Sequence, residues 1–255
     1  MQDKSMKFVL SLEYDGSVYY GWQKQRSVLT VQECVEIAFS KIANHKVDVI
    51  CAGRTDQGVH AIKQIAHFDT NTIRSNNIWL KGVNSLLPYN ITVLWIREIS
   101  SDFNARFSAL SRSYRYIILN KSRRSSFMTK YYYYVRDILD IKKMQYSARF
   151  LLGRHDFTSF KSSGCQSLSP NRKIISLLVY HLNDFVIIDI TANSFLYHMV
   201  RNIVGCLVSI GLSKQNINWT KIVLYNKNIN KMYSTVPPQG LYFLSASYPD
   251  CYAIL

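Results

Sequence analysis

The chain has 255 residues, of which 48% are hydrophobic, so it is long and apolar enough to bury a full core and is not a disordered tail. Its 31 Lys and Arg against 16 Asp and Glu give a formal net charge of +15, which favours a polyanionic partner. The first residues lack the apolar core of a signal peptide, and the longest apolar stretch, 203–212, is too short to span a bilayer. We therefore expect a cytoplasmic protein with no membrane partner.

The first 107 residues predict a β-α-β-β-α-β order, which is that of a ferredoxin-like unit. Thr30 to Glu33 has the pattern of a capping box that opens a helix, and Pro88 stops a second helix. The predicted elements are a strand at 7–13, a helix from about 30 to 43, strands at 47–52 and 63–69, a helix from about 75 to 87 and a strand at 91–99.

The turn between the second and third strands carries the most informative motif, GRTDQGVHA at 53–61. It places one carboxylate, Asp56, between two glycines and beside an arginine. Gly53 and Gly58 would permit backbone angles closed to other residues, and Arg54 would favour the ionised carboxylate. An ionised, positioned carboxylate is a possible nucleophile. The alternative is a plain hairpin in which Asp56 only bonds its own turn.

The same order of elements recurs in the second half, without residue identity between the halves. The predicted elements are a strand at 113–120, a helix at about 140–152 ended by Gly153, strands at 174–182 and 185–192, helices at 194–210 and near 217–226, and a strand at 240–248. We predict an α+β protein of two ferredoxin-like units, 1–107 and 108–255. These would form one long, mostly antiparallel sheet with helices on one face, and the uncovered face or a central cleft could receive the polyanionic partner.

The positive charge is concentrated in the second half. Residues 1–107 hold 12 basic and 10 acidic residues, whereas residues 108–255 hold 19 and 6. The densest stretch, 112–136, has seven cations, no acid and interleaved aromatic residues. Such a stretch suits looped or single-stranded RNA, because rings stack on bases while cations hold the backbone. Packing of the tyrosines in a sheet and a general drift of composition are the alternative explanation.

Neither the cysteines nor the histidines form a metal-site pattern. The five cysteines contain no C-x-x-C pair, the six histidines are scattered, and no P-loop or G-x-G-x-x-G motif occurs. We predict reduced thiols, no metal and no cofactor in catalysis.

GRTD followed by GVHA resembles the signature of the tRNA pseudouridine synthase A family. Gln57 departs from that pattern, which more often has a small residue there. Further blocks resemble the family in the same order from about residue 8 to 248: LEYDG at 12–16, YGWQ at 20–23, NARFSA at 104–109, SYRY at 113–116, GRHDFTSF at 153–160, HMVRNIVG at 198–205 and Gly240-Leu241-Tyr242.

The resemblance implies isomerisation of uridine to pseudouridine, with Asp56 as the nucleophile, acting either on the uracil ring or at the sugar C1′. It implies that Arg201 pairs with Asp56 and that Tyr114 stacks on the target base and moves a proton. From the residues alone, Arg201 could equally be a surface charge and Tyr114 a packing residue. Arg54 could contact the RNA backbone, fill the space left by a flipped uridine or brace the turn.

The resemblance further implies a substrate, the anticodon arm of tRNA at uridines 38–40 in tRNA numbering, and a homodimer that needs no cofactor. The target uridine would have to be extracted from its stack before reaction. Two alternatives stay open at this point. One is a noncatalytic RNA-binding or RNA-chaperone protein, and the other is a pseudouridine synthase that acts on other uridines of tRNA or small RNA.

Overall fold

The computed structural model describes residues 5–226 and 233–254, which divide into two compact units. The first unit runs to Arg112 and takes up the chain again at Tyr242, and the second is Ser113–Leu241. The break thus falls a few residues after the predicted one at 107/108. The last strand of the chain, predicted for the second unit, belongs almost entirely to the first.

The first unit has the predicted β-α-β-β-α-β order. Its strands β1, β3 and β4 lie in the order β4-β1-β3, β2 pairs with β3, and all of these pairs are antiparallel. The final strand β10 runs parallel to β3, with Tyr242 opposite His60. The bounds are β1 Met6–Tyr14, α1 Val31–Ala43, β2 Ile50–Cys51, β3 His60–Thr70, α2 Asn76–Leu86, β4 Ile91–Ile99 and β10 Leu241–Ser247.

An aromatic cluster joins both helices of this unit to one face of its sheet. Phe68 of β3 stacks on Phe8 of β1 with ring centroids 5.5 Å apart, and it contacts Phe39 of α1 at 4.6 Å and Trp79 of α2 at 5.4 Å. All four side chains are essentially fully buried. Burial of several large rings at one point accounts for much of the stability expected of the unit.

Helix α1 begins where the sequence predicts, but the capping-box explanation was wrong. Thr30 is the N-cap residue, yet its hydroxyl is buried without a hydrogen-bond partner. Instead, the carbonyl of Gly21 accepts from Val31 N at 3.2 Å, and that of Trp22 accepts from Gln32 N at 3.0 Å. The backbone of an earlier turn therefore satisfies the N–H groups that a cap usually serves.

The predicted strand at 47–52 is reduced to the two residues of β2. Side chains of α1 replace the missing ladder: Glu36 accepts from Val49 N at 3.1 Å, and Gln32 donates to Val49 O at 3.1 Å. Because these bonds satisfy the backbone of Val49, the segment needs no strand partner there.

The second unit forms a sheet in the order β5-β9-β8-β7, with β6 parallel beside β5. The short strands β6 and β7 were not predicted. Helix α3 packs on β8 and on α4. The bounds are β5 Ser111–Asn120, β6 Tyr133–Val135, α3 Ile141–Ala148, β7 Gly153–Asp156, β8 Asn171–Leu182, β9 Phe185–Ala192, α4 Met199–Gly211 and α5 Trp219–Tyr225.

Two predicted helix ends in this unit were wrong. Helix α4 begins at Met199 rather than 194, because His198 has φ +60°, a left-handed conformation in which a helix cannot run. Helix α3 ends at Ala148, and a 3-10 turn, Arg149–Leu151, precedes Gly153, whose φ of +92° opens β7. The mixed α+β class and the mostly antiparallel strand pairing are confirmed.

Candidate active site

Asp56 lies in the connection between β2 and β3, residues 52–59, which we call the Asp56 loop. A turn closes it, because Val59 N donates to Asp56 O at 3.2 Å. Gly58 has φ +76°, as its predicted role requires, whereas Gly53 is not among the glycines with positive φ. Asp56 is half-buried and Arg54 is exposed. The carboxylate therefore stands on a defined turn at the accessible side of the unit.

The turn before α1 holds the middle of the Asp56 loop. Trp22 N donates to Thr55 O at 3.0 Å, and Gly58 N donates to Tyr19 O at 3.3 Å. A Cβ on Gly21 would lie 2.7 Å from Thr55 O, and Gly21 also has φ +89°. Only glycine lets the two backbones approach this closely, so Gly21 is a requirement of the loop geometry.

Buried side chains hold the beginning of the same loop. Gln64, fully buried on β3, donates to Gly53 O at 2.7 Å and accepts from Gly53 N at 3.4 Å, as a strand neighbour would. Arg112, only 9% exposed, donates through Nε to Ala52 O at 3.2 Å. The same guanidinium also donates to Ala109 O at 3.1 Å and to the carbonyl of Arg106.

A buried hydroxyl pair fixes Thr55 beside Asp56. The hydroxyl groups of Tyr14 and Thr55 lie 2.8 Å apart, and burial raises the pKa of Tyr14 well above its usual value. The phenol therefore stays protonated at any physiological pH. A loop held at so many backbone points is preorganised, which is what a carboxylate nucleophile needs.

The loop ends at His60 in an equally tight contact. His60 accepts from Gly16 N through Nδ1 at 3.1 Å, and its ring stacks on Tyr242 with centroids 4.8 Å apart. A Cβ on Gly16 would lie 2.0 Å from Val59 O, so glycine is required there as well. His60 thus acts as a structural acceptor at the end of the loop.

Arg201 belongs to the first turn of α4 in the second unit. Its Nε donates to Val236 O at 2.8 Å, which fixes the plane of the guanidinium. Beside it, Tyr116 donates to Pro237 O at 2.7 Å, and burial raises the pKa of Tyr116 while the charge of Arg201 opposes that rise. A Cβ on Gly205 would lie 2.1 Å from Ser234 O, so glycine allows this segment to cross the helix.

Tyr114 lies on β5 in the same unit and is 8% exposed. Phe195 meets its ring edge to face, with centroids 5.1 Å apart. Packing therefore accounts for part of its role, and stacking on a target base stays a prediction.

The four predicted site residues are divided between the units. Arg54 and Asp56 share one loop of the first unit, whereas Tyr114 and Arg201 belong to the second. Sequence reasoning missed the residues that hold the Asp56 loop, namely Tyr14, Gly21, Gln64 and Arg112. Gln64 left no distinctive signal in the sequence, because its strand also carries Lys63, His67 and Asp69.

The basic stretch 112–136 contains three cations that are at least partly buried and four that are exposed. Arg112 is buried, and Arg115 makes two hydrogen bonds to Asp189 at 2.7 and 2.8 Å, which raise the pKa of Arg115. Lys121 pairs with Asp184 at 3.1 Å. The remaining members of the stretch, Arg123, Arg124, Lys130 and Arg136, are exposed. Within this stretch, these four are the cations most accessible to a phosphate, and the RNA-facing role of the second half stays a prediction.

In the parts of the chain that the structure describes, no helix is long and apolar enough to cross a membrane. Within residues 5–226 and 233–254, no three His, Cys, Asp or Glu side chains are arranged to hold a metal ion.

Comparisons with known proteins match the chain almost from end to end. A family model described as tRNA pseudouridine synthase matches residues 11–108 and 148–249, which include Asp56 and Arg201. A tRNA pseudouridine synthase A of Buchnera aphidicola (subsp. Acyrthosiphon pisum, strain Tuc7) is 52% identical over 251 residues, or 98% of this chain and 94% of the relative. One from Idiomarina loihiensis is 51% identical over 249 residues, or 98% and 95%. One from Coxiella burnetii (strain Dugway 5J108-111) is 47% identical over 243 residues, or 95% and 93%.

Proposed function

The chain belongs to the tRNA pseudouridine synthase family, and we propose that it acts on uridines 38–40 in the anticodon arm of tRNA, with Asp56 as its nucleophile. The resemblance found in the sequence is confirmed, and the enzyme is an isomerase that converts uridine to pseudouridine. The observation that carries the assignment of Asp56 is its position on a loop held from both sides by buried hydrogen bonds.

The reaction rearranges bonds without changing composition. The bond between C1′ and N1 of uracil breaks, the base rotates, and C1′ bonds to C5, which loses its hydrogen while N1 gains one. No oxidant, reductant or energy source is needed. Asp56 can add to the uracil ring or attack C1′, and both routes need an ionised carboxylate whose bond to substrate later breaks.

Arg201 and Tyr114 are assigned from the family resemblance. Arg201 is the cation that pairs with Asp56. The hydrogen bond to Val236 O already fixes its guanidinium, so the side chain would lose less conformational entropy when the pair forms. Tyr114 is the ring that stacks on the target base and transfers a proton. Its edge-to-face contact with Phe195 would hold the ring in one orientation for that role.

Arg54 is a substrate-binding residue in this proposal. It is exposed on the loop that carries Asp56, two residues away, so RNA that reaches the carboxylate passes this cation. A uridine stacked in a helix hides its C1′, so the base must leave the stack, and Arg54 is placed to bind the RNA backbone or the vacated space.

We also propose a homodimer located in the cytoplasm, where its tRNA substrate is found. An exposed apolar stripe on β8 supports the dimer: Ile175, Leu178 and Leu182 are 53%, 57% and 57% exposed. A stripe of this kind on a sheet face favours a protein partner. Sedimentation of a fully active species of about 29.6 kDa at micromolar concentration would contradict the dimer.

Mapping of pseudouridine in total RNA from cells with and without the gene tests the function. We expect pseudouridine at positions 38–40 of tRNA to disappear with the gene and to return with the wild-type chain but not with Asp56→Asn. Loss at other uridines would reassign the substrate. An unchanged map would leave the chain as an RNA-binding member of the family without this activity.

A further inference from the structure

Phe107 is a large ring held in solvent by a rigid turn of the first unit. It is 79% exposed, although the turn around it is well ordered by hydrogen bonds. The side chain of Asn104 accepts from Arg106 N at 3.0 Å and from Phe107 N at 3.1 Å, and Ser108 N donates to Asn104 O at 2.8 Å. Its exposure is thus a fixed property of the turn.

The turn is also anchored to the core of the unit. Ala105 is fully buried, and its N–H donates to Nδ1 of His67 at 3.1 Å while its carbonyl accepts from the Tyr248 hydroxyl at 2.7 Å. Because both polar groups of Ala105 are bonded, the backbone of the turn that carries Phe107 is held against the core. A fixed exposed ring of this kind is typical of a binding contact.

A cation accompanies the ring. The guanidinium of Arg106 lies over Phe107 at 5.5 Å from the ring centroid, a cation–π distance. Residues 103–112 of this unit contain no Asp or Glu. The nearest acid before them, Asp102, is already engaged by the hydroxyl groups of Ser100 and Tyr252. The chain on either side of the ring therefore contributes positive charge, which favours a partner with negative charge.

This pair lies beside the Asp56 loop. One buried side chain, Arg112, donates to the carbonyl of Arg106 and to that of Ala52, the first residue of the loop. The charges of Arg54 and Arg106 both act on the buried thiol of Cys51, although burial outweighs them and raises its pKa to about 12. Both guanidinium groups therefore lie close to Cys51, and RNA that meets Arg54 has Arg106 and Phe107 as neighbours.

We propose that Arg106 and Phe107 form a contact for one unpaired nucleotide of the RNA substrate, with the base stacked on the ring and a phosphate on the guanidinium. The inference rests on the proposed function and adds a binding site to it. A ring beside a cation matches the two chemistries that an unpaired nucleotide offers, a flat base and an anionic backbone. An apolar segment of a protein would bring no negative charge to Arg106.

The test compares Phe107→Ala, Phe107→Trp and Arg106→Gln with two control variants, Ile73→Ala and Arg74→Gln. Ile73 and Arg74 are also an exposed apolar residue beside an exposed arginine in the first unit. They lie elsewhere in the unit, because Arg74 donates to Ile42 O near the end of helix α1. Binding of tRNA is measured together with kcat, KM and the sedimentation mass of each variant.

We expect Phe107→Ala to weaken binding and raise KM about 5- to 100-fold, because loss of base stacking on an aromatic ring weakens binding by about that factor. The kcat at saturating tRNA should be unchanged. Phe107→Trp should restore binding, because it keeps a stacking surface. Arg106→Gln should weaken binding and reduce its salt dependence. Both controls should match the wild type.

Three results would overturn the proposal. They are unchanged tRNA binding by Phe107→Ala, a loss by Phe107→Trp as large as that by Phe107→Ala, and a change of sedimentation mass, which would make the ring a protein contact. Failure of the proposed function would give a different result from failure of this contact. In that case the wild-type protein would form no pseudouridine, but Phe107→Ala would still weaken its binding of tRNA.

Discussion

The Asp56 loop and the basic segment 121–136 use their polar side chains in opposite ways. Around the loop, Gln64 and Arg112 direct their hydrogen bonds inward to backbone carbonyls. In the segment, Arg123 and Arg124 direct their charges into solvent. The first region fixes one carboxylate in place, and the second leaves cations available to phosphates.

This difference shows that the net charge of +15 is not a count of RNA contacts. Arg112 is the first cation of the densest basic stretch, yet it is buried and serves the architecture of the loop. Chemistry and binding are therefore expected to respond to different substitutions, and the predictions below separate them.

The largest effect is expected from Asp56→Asn. The change keeps the size of the side chain but removes the charge and nucleophilicity, so pseudouridine formation should fall at least about 10³-fold. Binding of tRNA should remain within a few-fold of wild type, because the phosphate contacts lie elsewhere. Turnover and filter binding are measured on the same preparation. Measurable turnover, after deamidation back to Asp has been excluded by mass spectrometry, would remove Asp56 from the mechanism.

Arg112→Leu should affect stability rather than binding alone. It leaves the carbonyls of Ala52, Arg106 and Ala109 without their buried donor, which we expect to lower the free energy of unfolding by about 3 kcal/mol. The matched control, Arg123→Leu, should stay within about 0.5 kcal/mol because it is exposed. Urea unfolding of both variants measures this. Equal values for the two would show that Arg112 does not hold the loop.

His67 gives the first unit a dependence on pH. Burial, helped by the charge of Lys7, lowers the pKa of His67 to about 4, and its Nδ1 accepts from Ala105 N only when unprotonated. Between about pH 6.5 and 4 the unfolded chain binds a proton there that the folded chain does not, so stability falls as pH falls.

At pH 5 this loss should be about 2 kcal/mol relative to pH 7.5. Urea unfolding at both pH values is compared between wild type and His67→Asn, which keeps an acceptor that cannot titrate. His181→Asn, at an exposed position, is the matched control for a change from His to Asn. If His67→Asn retains the full dependence, another group causes it.

The sequence predicted the secondary-structure order well because periodicity and breakers such as Pro88 act locally. It failed where a distant part of the chain supplies the missing hydrogen bonds. The carbonyls of Gly21 and Trp22 start α1 in place of Thr30, and α1 side chains hold residue 49 in place of a strand. Neither arrangement leaves a local pattern.

For the site, the motif GRTD identified Asp56 and its turn, but not what holds them. Gly21 and Arg112 are distant in the chain from Asp56, and their roles depend on a close backbone approach and on buried carbonyls. The same limit applies to Arg112 in the basic stretch, because composition counts charge and cannot distinguish a buried guanidinium from an exposed one.

The smallest effect is expected from the double variant Arg123→Gln, Arg124→Gln, and it completes the separation of binding from chemistry. For the wild type, raising salt from 50 to 200 mM should weaken tRNA binding about ten-fold or more if a few phosphates are contacted. The double variant should bind several-fold more weakly at low salt, with a salt slope shallower by about 1.5 to 2 if both residues contact phosphates. Turnover at saturating tRNA should be unchanged, since neither side chain holds the Asp56 loop. Arg74→Gln, an exposed cation of the first unit, controls for general loss of charge. An unaltered salt slope in the double variant would exclude this segment from the RNA contact, and a lower kcat would place it in the active site.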